Sequence, residues 1–344
     1  MSALAESMVQ AEPDATALPR FEDVAAAAMR LEGHAVMTPL LESDAVNRLL
    51  GGRLLVKAEV LQHGGAFKFR GAFNRLVQLT ARERARGVVA FSSGNHAQGV
   101  AAAARRLGIH AAIVMPADAP AIKVEATREH GAEIITYDRF TESREEIAAG
   151  LARERGATLV PSFDDFHIIS GQGTVGLEMV RQAHAAGATL DDAVICCGGG
   201  GLTAGCSLAI RATSPTTNIY CAEPAAFNDH QRSLQQGERV ANDPSARSFC
   251  DALLAPEPGV LTFAINRRTL TGGLAVTDSE VGAAMAFAFR HFKLVLEPSG
   301  AVALACVLAG RIPSAGRTIA VVCSGGNVEV ADYAAVLALA GGGQ

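Results

Sequence analysis

From residue 87 onward the chain alternates short β-rich runs with alanine-rich runs of helical length, and this alternation does most to limit its fold. GVVAF (87–91) is strand-like and AQGVAAAARRLGI (97–109) helical. HAAIVMP (110–116), EIITY (133–137) and ATLVPSF (157–163) read as strands. Between and after them, KVEATREHGA (123–132), SREEIAAGLARERG (143–156) and GTVGLEMVRQAHAAG (173–187) read as helices. DAVICC (192–197), LTAGCSLAIRA (202–212), NIYCAEP (218–224) and TIAVVCSGG (318–326) continue the pattern. Strands alternating with helices of this length predict βαβ units and a parallel sheet, with helices on both faces. With 344 residues there is room for one large domain or two moderate ones.

Three of the predicted strands end in small or glycine-rich loops: SSGNHAQ (92–98), GGGGL (198–202) and SGGN (324–327). In open parallel sheets ligands bind beyond the carboxyl ends of strands, so three such loops suggest one site built from several strands. The run Gly198, Gly199, Gly200 and Gly201 gives up four side chains between a strand and a helix. Glycine weakens an element by roughly 0.5–1 kcal/mol relative to alanine, so four in a row need a reason. A helix N-terminus offers unpaired N–H groups and partial positive charge, which suits a phosphate if no Cβ intervenes. The same glycines could also serve only to make a tight strand–helix turn. GxGxxG fits poorly, and Glu223, near the ribose-binding distance, is followed by proline; GxxxxGK[ST] is absent. A small phosphorylated cofactor is the better expectation.

In GGAFKFRGAFN (64–74), Lys68 stands between Phe67 and Phe69. A lone lysine is usually a surface residue. A desolvated one has a lowered pKa and becomes a nucleophilic amine able to form a Schiff base. Desolvated lysine plus phosphate cup points to pyridoxal 5'-phosphate.

The remaining totals exclude rather than assign. A net charge of −5 argues against nucleic-acid or anionic-membrane partners. Seven scattered cysteines, with no CxxC, predict reduced, buried thiols in a cytoplasmic protein. No secretory signal and no run of 18 apolar residues is present. The first ~18 residues are expected to be mobile.

Together, AFKFRGA, SSGNHAQGVA, GQGTVGLE, GGGGL, LEPSGA and SGGN resemble, in order and approximate spacing, the pyridoxal-phosphate enzymes of the tryptophan-synthase-β fold type (fold type II). The threonine/serine dehydratases and serine racemases are the most similar group, and the resemblance runs from about residue 20 to 335. It implies an α/β architecture of two domains with twisted, mostly parallel sheets flanked by helices. Residues 1–83 and 161–344 would form a large cofactor-binding domain, and 84–160 a small mobile one that closes on the substrate. A homodimer acting on a small amino acid is implied. No C-terminal regulatory domain like that of the biosynthetic threonine dehydratases, and so no distal allosteric control, is expected.

The resemblance also implies residue roles. Lys68 would carry the cofactor covalently and then remove the Cα proton. Gly198, Gly199, Gly200, Gly201 and Leu202 would bind the phosphate, Asn95 the ring hydroxyl and Ser324 the pyridine nitrogen, and Phe67 would pack on the ring. Ser93 would be the acid/base on the opposite face. Ser92, Ser93, Asn95 and His96 would surround the substrate carboxylate, with Arg144 reaching toward the substrate. Glu223, Asp229 and the carbonyl of Phe227 match the family's divalent-cation (Mg or Ca) site. The hydroxyl of Ser324, in place of a carboxylate, leaves the ring a weaker electron sink and favours prompt β-elimination. The implied activity is an ammonia-lyase (dehydratase) converting a β-hydroxy amino acid of the L-threonine/L-serine type to a 2-oxo acid and ammonia.

Two departures bear on the substrate. Ala66 stands where the family usually has serine or threonine. DALLAPEPG (251–259) stands where a segment beginning Asp-Gly usually supplies a hydroxyl. A related substrate such as 3-hydroxyaspartate is therefore an alternative, as are a serine racemase, a β-replacement synthase and, from another class, a non-catalytic nucleotide-binding protein.

Overall fold

The computed structural model describes residues 18–119 and 121–341. Most of the segment expected to be mobile lies outside these residues; Leu18 is described and buried. Ten strands form two sheets. Six are β1 (Leu40–Glu42), β2 (Arg53–Ala58), β7 (Asp192–Cys196), β8 (Asn218–Pro224), β9 (Gly272–Val276) and β10 (Thr318–Cys323). They run in the order β1-β2-β10-β7-β8-β9, all parallel except the β1–β2 pair. The other four are β3 (Val88–Phe91), β4 (Ala111–Pro116), β5 (Glu133–Tyr137) and β6 (Thr158–Leu159), ordered β5-β4-β3-β6 and all parallel.

Side-chain alternation explains why both sheets are covered on two faces. On β10, Ile319, Val321 and Cys323 pack with the helices Asp278–Phe292 and Pro298–Leu308, while Ala320 and Val322 pack with Thr174–Ala185 and Gly201–Thr213. On β4, Ile113 and Met115 meet Lys68–Val77 and Asn95–Leu107; Ala112 and Val114 face Arg144–Arg155. Each fully buried valine or isoleucine on these strands contributes roughly 1.5–3 kcal/mol. The seven cysteines are free and buried in these cores.

The predicted βαβ alternation is present, with corrections. The stretch 157–163 is a strand only at Thr158–Leu159. Val160 N still donates to the Val89 carbonyl of β3 at 2.8 Å, and residues 161–163 leave the sheet and turn into the site. The helix expected at 97 starts at Asn95, and Phe166–Gln172 is a separate helix before Thr174–Ala185. Strands β1, β2 and β9 lie where no strand was expected. Among the described residues no helix is long and apolar enough to cross a membrane.

Candidate active site

The carboxyl ends of β3, β7 and β10 open onto one cavity of about 230 Å³. Its wall contains every residue expected to act on cofactor or substrate: Lys68 and Phe67, the 92–96 loop, the 198–202 turn, Arg144 and Ser324.

Lys68 is the first residue of its helix. Its Nζ donates to the carbonyl of Ser162 at 2.7 Å and lies 5.3 Å from the Phe67 ring centre. Burial lowers its pKa to about 8, against the pull of Glu297. About a fifth of the amine is therefore neutral near physiological pH, far more than for an ordinary lysine, and that form is the nucleophile. The backbone under it is fixed by close approach: a Cβ on Gly99 would stand 2.9 Å from the Lys68 carbonyl carbon and 3.0 Å from the Phe69 nitrogen.

The glycine run behaves partly as expected. The helix Gly201–Thr213 begins at its end, with Gly200 at φ 96° as N-cap, so the first amides have no intrahelical partner. The Cβ directions, however, point at protein. On Gly199 a Cβ would collide with the Phe163 ring, on Gly200 it would stand 2.5 Å from His230 Nε2, and on Gly201 2.9 Å from the Phe163 carbonyl. Gly199, Gly200 and Gly201 are thus required by packing behind the turn, and the turn lines the cavity. The tight-turn reading accounts for the packing of Gly199, Gly200 and Gly201.

In the loop after β3, Ser92 Oγ accepts from Gly94 N at 3.1 Å, and neither Ser92 nor Ser93 caps the helix that follows. Asn95 is buried; its Nδ2 donates to Glu297 Oε1 at 2.5 Å, and its Oδ1 accepts from Asn327 Nδ2 at 2.8 Å. His96 Nε2 lies 3.0 Å from the carbonyl of Val160, so this nitrogen carries the proton and Nδ1, without a partner, is left as an acceptor. Burial, then the charge of Lys68, lowers its pKa to about 3, so the ring is neutral.

Residues 160–165 tie these parts together. Val160 and Ser162 supply the carbonyls just described, and Phe163 backs the glycine turn. Asp164 accepts from the first amides of the helix Val260–Thr269, and Asp165 Oδ1 caps Phe166–Gln172.

Ser324 follows β10, is buried, and accepts from Phe67 N at 3.1 Å through its carbonyl. Arg144 stands half-exposed at the rim, its guanidinium 5.5 Å over the Phe91 ring and its Nε on Glu145 at 2.8 Å. Three charged wall residues were not singled out from sequence: Glu297, Lys123 and Asp251. Glu297 sits inside LEPSGA, ahead of Pro298 at a helix start, which was its available signal. Burial, then Asp251, raises its carboxyl pKa to about 8, so it is neutral at lower pH. Lys123 and Asp251 pair at 2.5 Å.

Glu223, Phe227 and Asp229 lie outside this wall, behind the glycine turn. Both Glu223 oxygens accept amides of the next helix, from His230 at 2.9 Å and Gln231 at 2.8 Å. Asp229 Oδ1 accepts from Asn242, and its Oδ2 has no hydrogen-bond partner. His230 Nδ1 lies 3.6 Å from Asp229 and 3.8 Å from Glu223, and Cys197 completes the group.

A buried amine of lowered pKa, facing free helix-start amides and a serine at a strand end, fits an aldehyde cofactor with a phosphate tail. The model of the pyridoxal-phosphate dependent enzymes matches residues 31–325, and the chain belongs to that family, in its fold type II. The expectation of a non-catalytic nucleotide-binding protein gives way to this membership. Among characterised relatives, the chain is 43% identical over 320 residues to the L-threo-3-hydroxyaspartate ammonia-lyase of Pseudomonas sp, covering 93% of this chain and 99% of the relative. It is 39% identical to the serine racemase of Schizosaccharomyces pombe (93% and 98% covered). The crystal structure of the T.th. threonine deaminase superposes with a TM-score of 0.85 at 41% identity, over 90% and 99% of the two chains.

Proposed function

We propose that the protein is an ammonia-lyase for a β-hydroxy amino acid, with 3-hydroxyaspartate as its substrate. The charge of the cavity wall carries the substrate. Apart from Lys68, the wall holds two basic side chains, Lys123 and Arg144, and two carboxyls, Asp251 and Glu297, of which burial raises the Glu297 pKa to about 8 so that it is mostly protonated at neutral pH. Residues 252–256 add only Ala252, Leu253, Leu254, Ala255 and Pro256, with no hydroxyl for a serine or threonine side chain. Two basic side chains, and no hydroxyl from 252–256, suit a side chain ending in carboxylate. The name of the 43% identical relative supports the same choice.

Bound pyridoxal phosphate supplies the electron sink that acidifies the substrate's Cα–H. The chain's residues do the rest. The amides of Gly198 to Leu202 would grip the phosphate, Phe67 would pack on the ring, and Asn95 and Ser324 would hold its polar edge. Ser92, Asn95 and His96 receive the α-carboxylate. Lys68 would remove the Cα proton and pass it to the β-hydroxyl, which leaves as water; a solvent proton then enters at Cβ and water adds at C2, releasing ammonium and the 2-oxo acid. Proton transfer by a placed group is worth roughly 10²–10⁴-fold. Closure of the part around β3–β6 would bring Ser92, Ser93 and Asn95 onto the substrate.

The test is ammonia and 2-oxo acid release from a panel of β-hydroxy amino acids. Preference for serine or threonine over L-threo-3-hydroxyaspartate overturns the substrate, and no release from any overturns the activity. Racemisation at Cα is the second reading, favoured by Ser93 sharing the cavity with Lys68. D-amino acid recovered without 2-oxo acid would establish it.

A further inference from the structure

The ion pair between Lys123 and Asp251 is unequally placed. Lys123 Nζ meets Asp251 Oδ2 at 2.5 Å, yet the lysine side chain is only 15% exposed and the aspartate 53%. The lysine side chain is largely enclosed, while its partner is half in solvent. The two come from different sheets' surroundings. Lys123 lies on the helix Ala121–Glu129 between β4 and β5, and Asp251 opens the short turn Asp251–Leu253 after the helix Asp229–Gln236. The backbone beside Asp251 is pinned, Ala252 N to Ser299 Oγ at 2.9 Å and Leu253 N to the Cys250 carbonyl at 2.9 Å. Rotation of one side chain therefore frees Lys123 without moving the loop. Arg144 is the other cation, but it is half-exposed, with its Nε already on the neighbouring Glu145.

We propose that Lys123 receives the substrate's side-chain carboxylate and that Asp251 is an internal stand-in for it, displaced when the substrate binds. The inference rests on the proposed dicarboxylate substrate. Exchanging one carboxylate for another leaves no charge uncompensated in the wall, which would otherwise be costly. A serine side chain cannot make the exchange. It leaves the pair in place and gains nothing from it, so the same two residues favour one substrate and ignore the other.

The experiment compares kcat/KM for L-threo-3-hydroxyaspartate and L-serine in the holoenzyme and in Lys123→Gln, Lys123→Arg and Asp251→Asn. In Lys123→Gln the ratio of the two should fall by about 10- to 100-fold, the range for losing a charged hydrogen bond. Lys123→Arg should restore most of it. Asp251→Asn, which removes the competing anion, should lower the KM for the dicarboxylate by roughly threefold, as for a solvent-facing pair. Binding of L-aspartate, which lacks the β-hydroxyl, followed by cofactor absorbance, should weaken in Lys123→Gln by a similar factor. A wild-type enzyme that uses serine as well as hydroxyaspartate overturns the substrate reading itself. A wild type that prefers the dicarboxylate, and keeps that preference in Lys123→Gln or loses it only in Arg144→Gln, overturns the role of Lys123 alone.

Discussion

Asn95 Nδ2 donates to Glu297 Oε1 at 2.5 Å, joining the helix start after β3 to the helix start at Pro298. This bond is made by a carboxyl whose pKa burial raises to about 8. A carboxyl with a raised folded-state pKa is protonated in the folded chain and ionised in the unfolded one between the two values. Its contribution is therefore full below the ordinary value of 4.5 and is lost progressively as pH rises to about 8. Glu297→Gln removes that loss. Relative to wild type, the variant should gain about 1.4 kcal/mol of stability per pH unit across this window. Thermal or urea unfolding at several pH values checks it, and a constant difference contradicts the assignment.

The amine of Lys68 should capture cofactor faster as pH rises through about 8, because only the neutral amine attacks an aldehyde. Absorbance during addition of pyridoxal phosphate to apoprotein measures the rate, and mass after borohydride reduction locates the label. Lys68→Ala should take up no label, and a rate that stays flat through that range would tell against a lowered pKa.

Gly99→Ala places a methyl 2.9 Å from the Lys68 carbonyl carbon. The helices 68–77 and 95–107 must part to admit it. Overpacking of this kind costs roughly 1–3 kcal/mol. The variant should melt earlier and bind cofactor more weakly, whereas alanine at Gly150, which meets nothing within 4 Å, should do neither.

Two residues beyond Lys68, Arg70 is fully buried between Glu59 and Glu178, with Lys57 on the far side of Glu178. Arg70→Met leaves Glu59 buried and unpaired. The expected loss is about 3–5 kcal/mol, read as a lowered urea midpoint, and a loss below ~1 kcal/mol would show that the cluster adapts.

The sequence made the repeated units of the fold legible and left its edges obscure. EIITY and NIYCAEP are apolar runs bounded by breakers, and their strands match residue for residue. β2 escaped because Lys57 and Arg53 interrupt its apolar pattern; Lys57 is buried only because Glu178 and the Thr38 carbonyl receive its ammonium. ATLVPSF looked like a strand, but after Val160, which still bonds β3, its residues turn toward the site instead of the sheet. Within the site, residues in motifs could be found, since Lys68 starts a helix among glycines and Asn95 and Ser324 sit among glycines at strand ends. The Ser162 carbonyl under Lys68 could not, because a backbone acceptor has no residue type. Nor could the Lys123–Asp251 pair, whose members are 128 positions apart and ordinary as isolated charges.

Residues 160–165 touch the amine, the histidine and the glycine turn and cap two helices. Such a junction has no independent way to loosen: opening it releases every one of its neighbours together. The amides of the helices beginning at Phe166 and Val260 should therefore exchange with deuterium in one cooperative event, and cofactor escape should keep the same time course. The pocket's lifetime is set by six residues that do no chemistry.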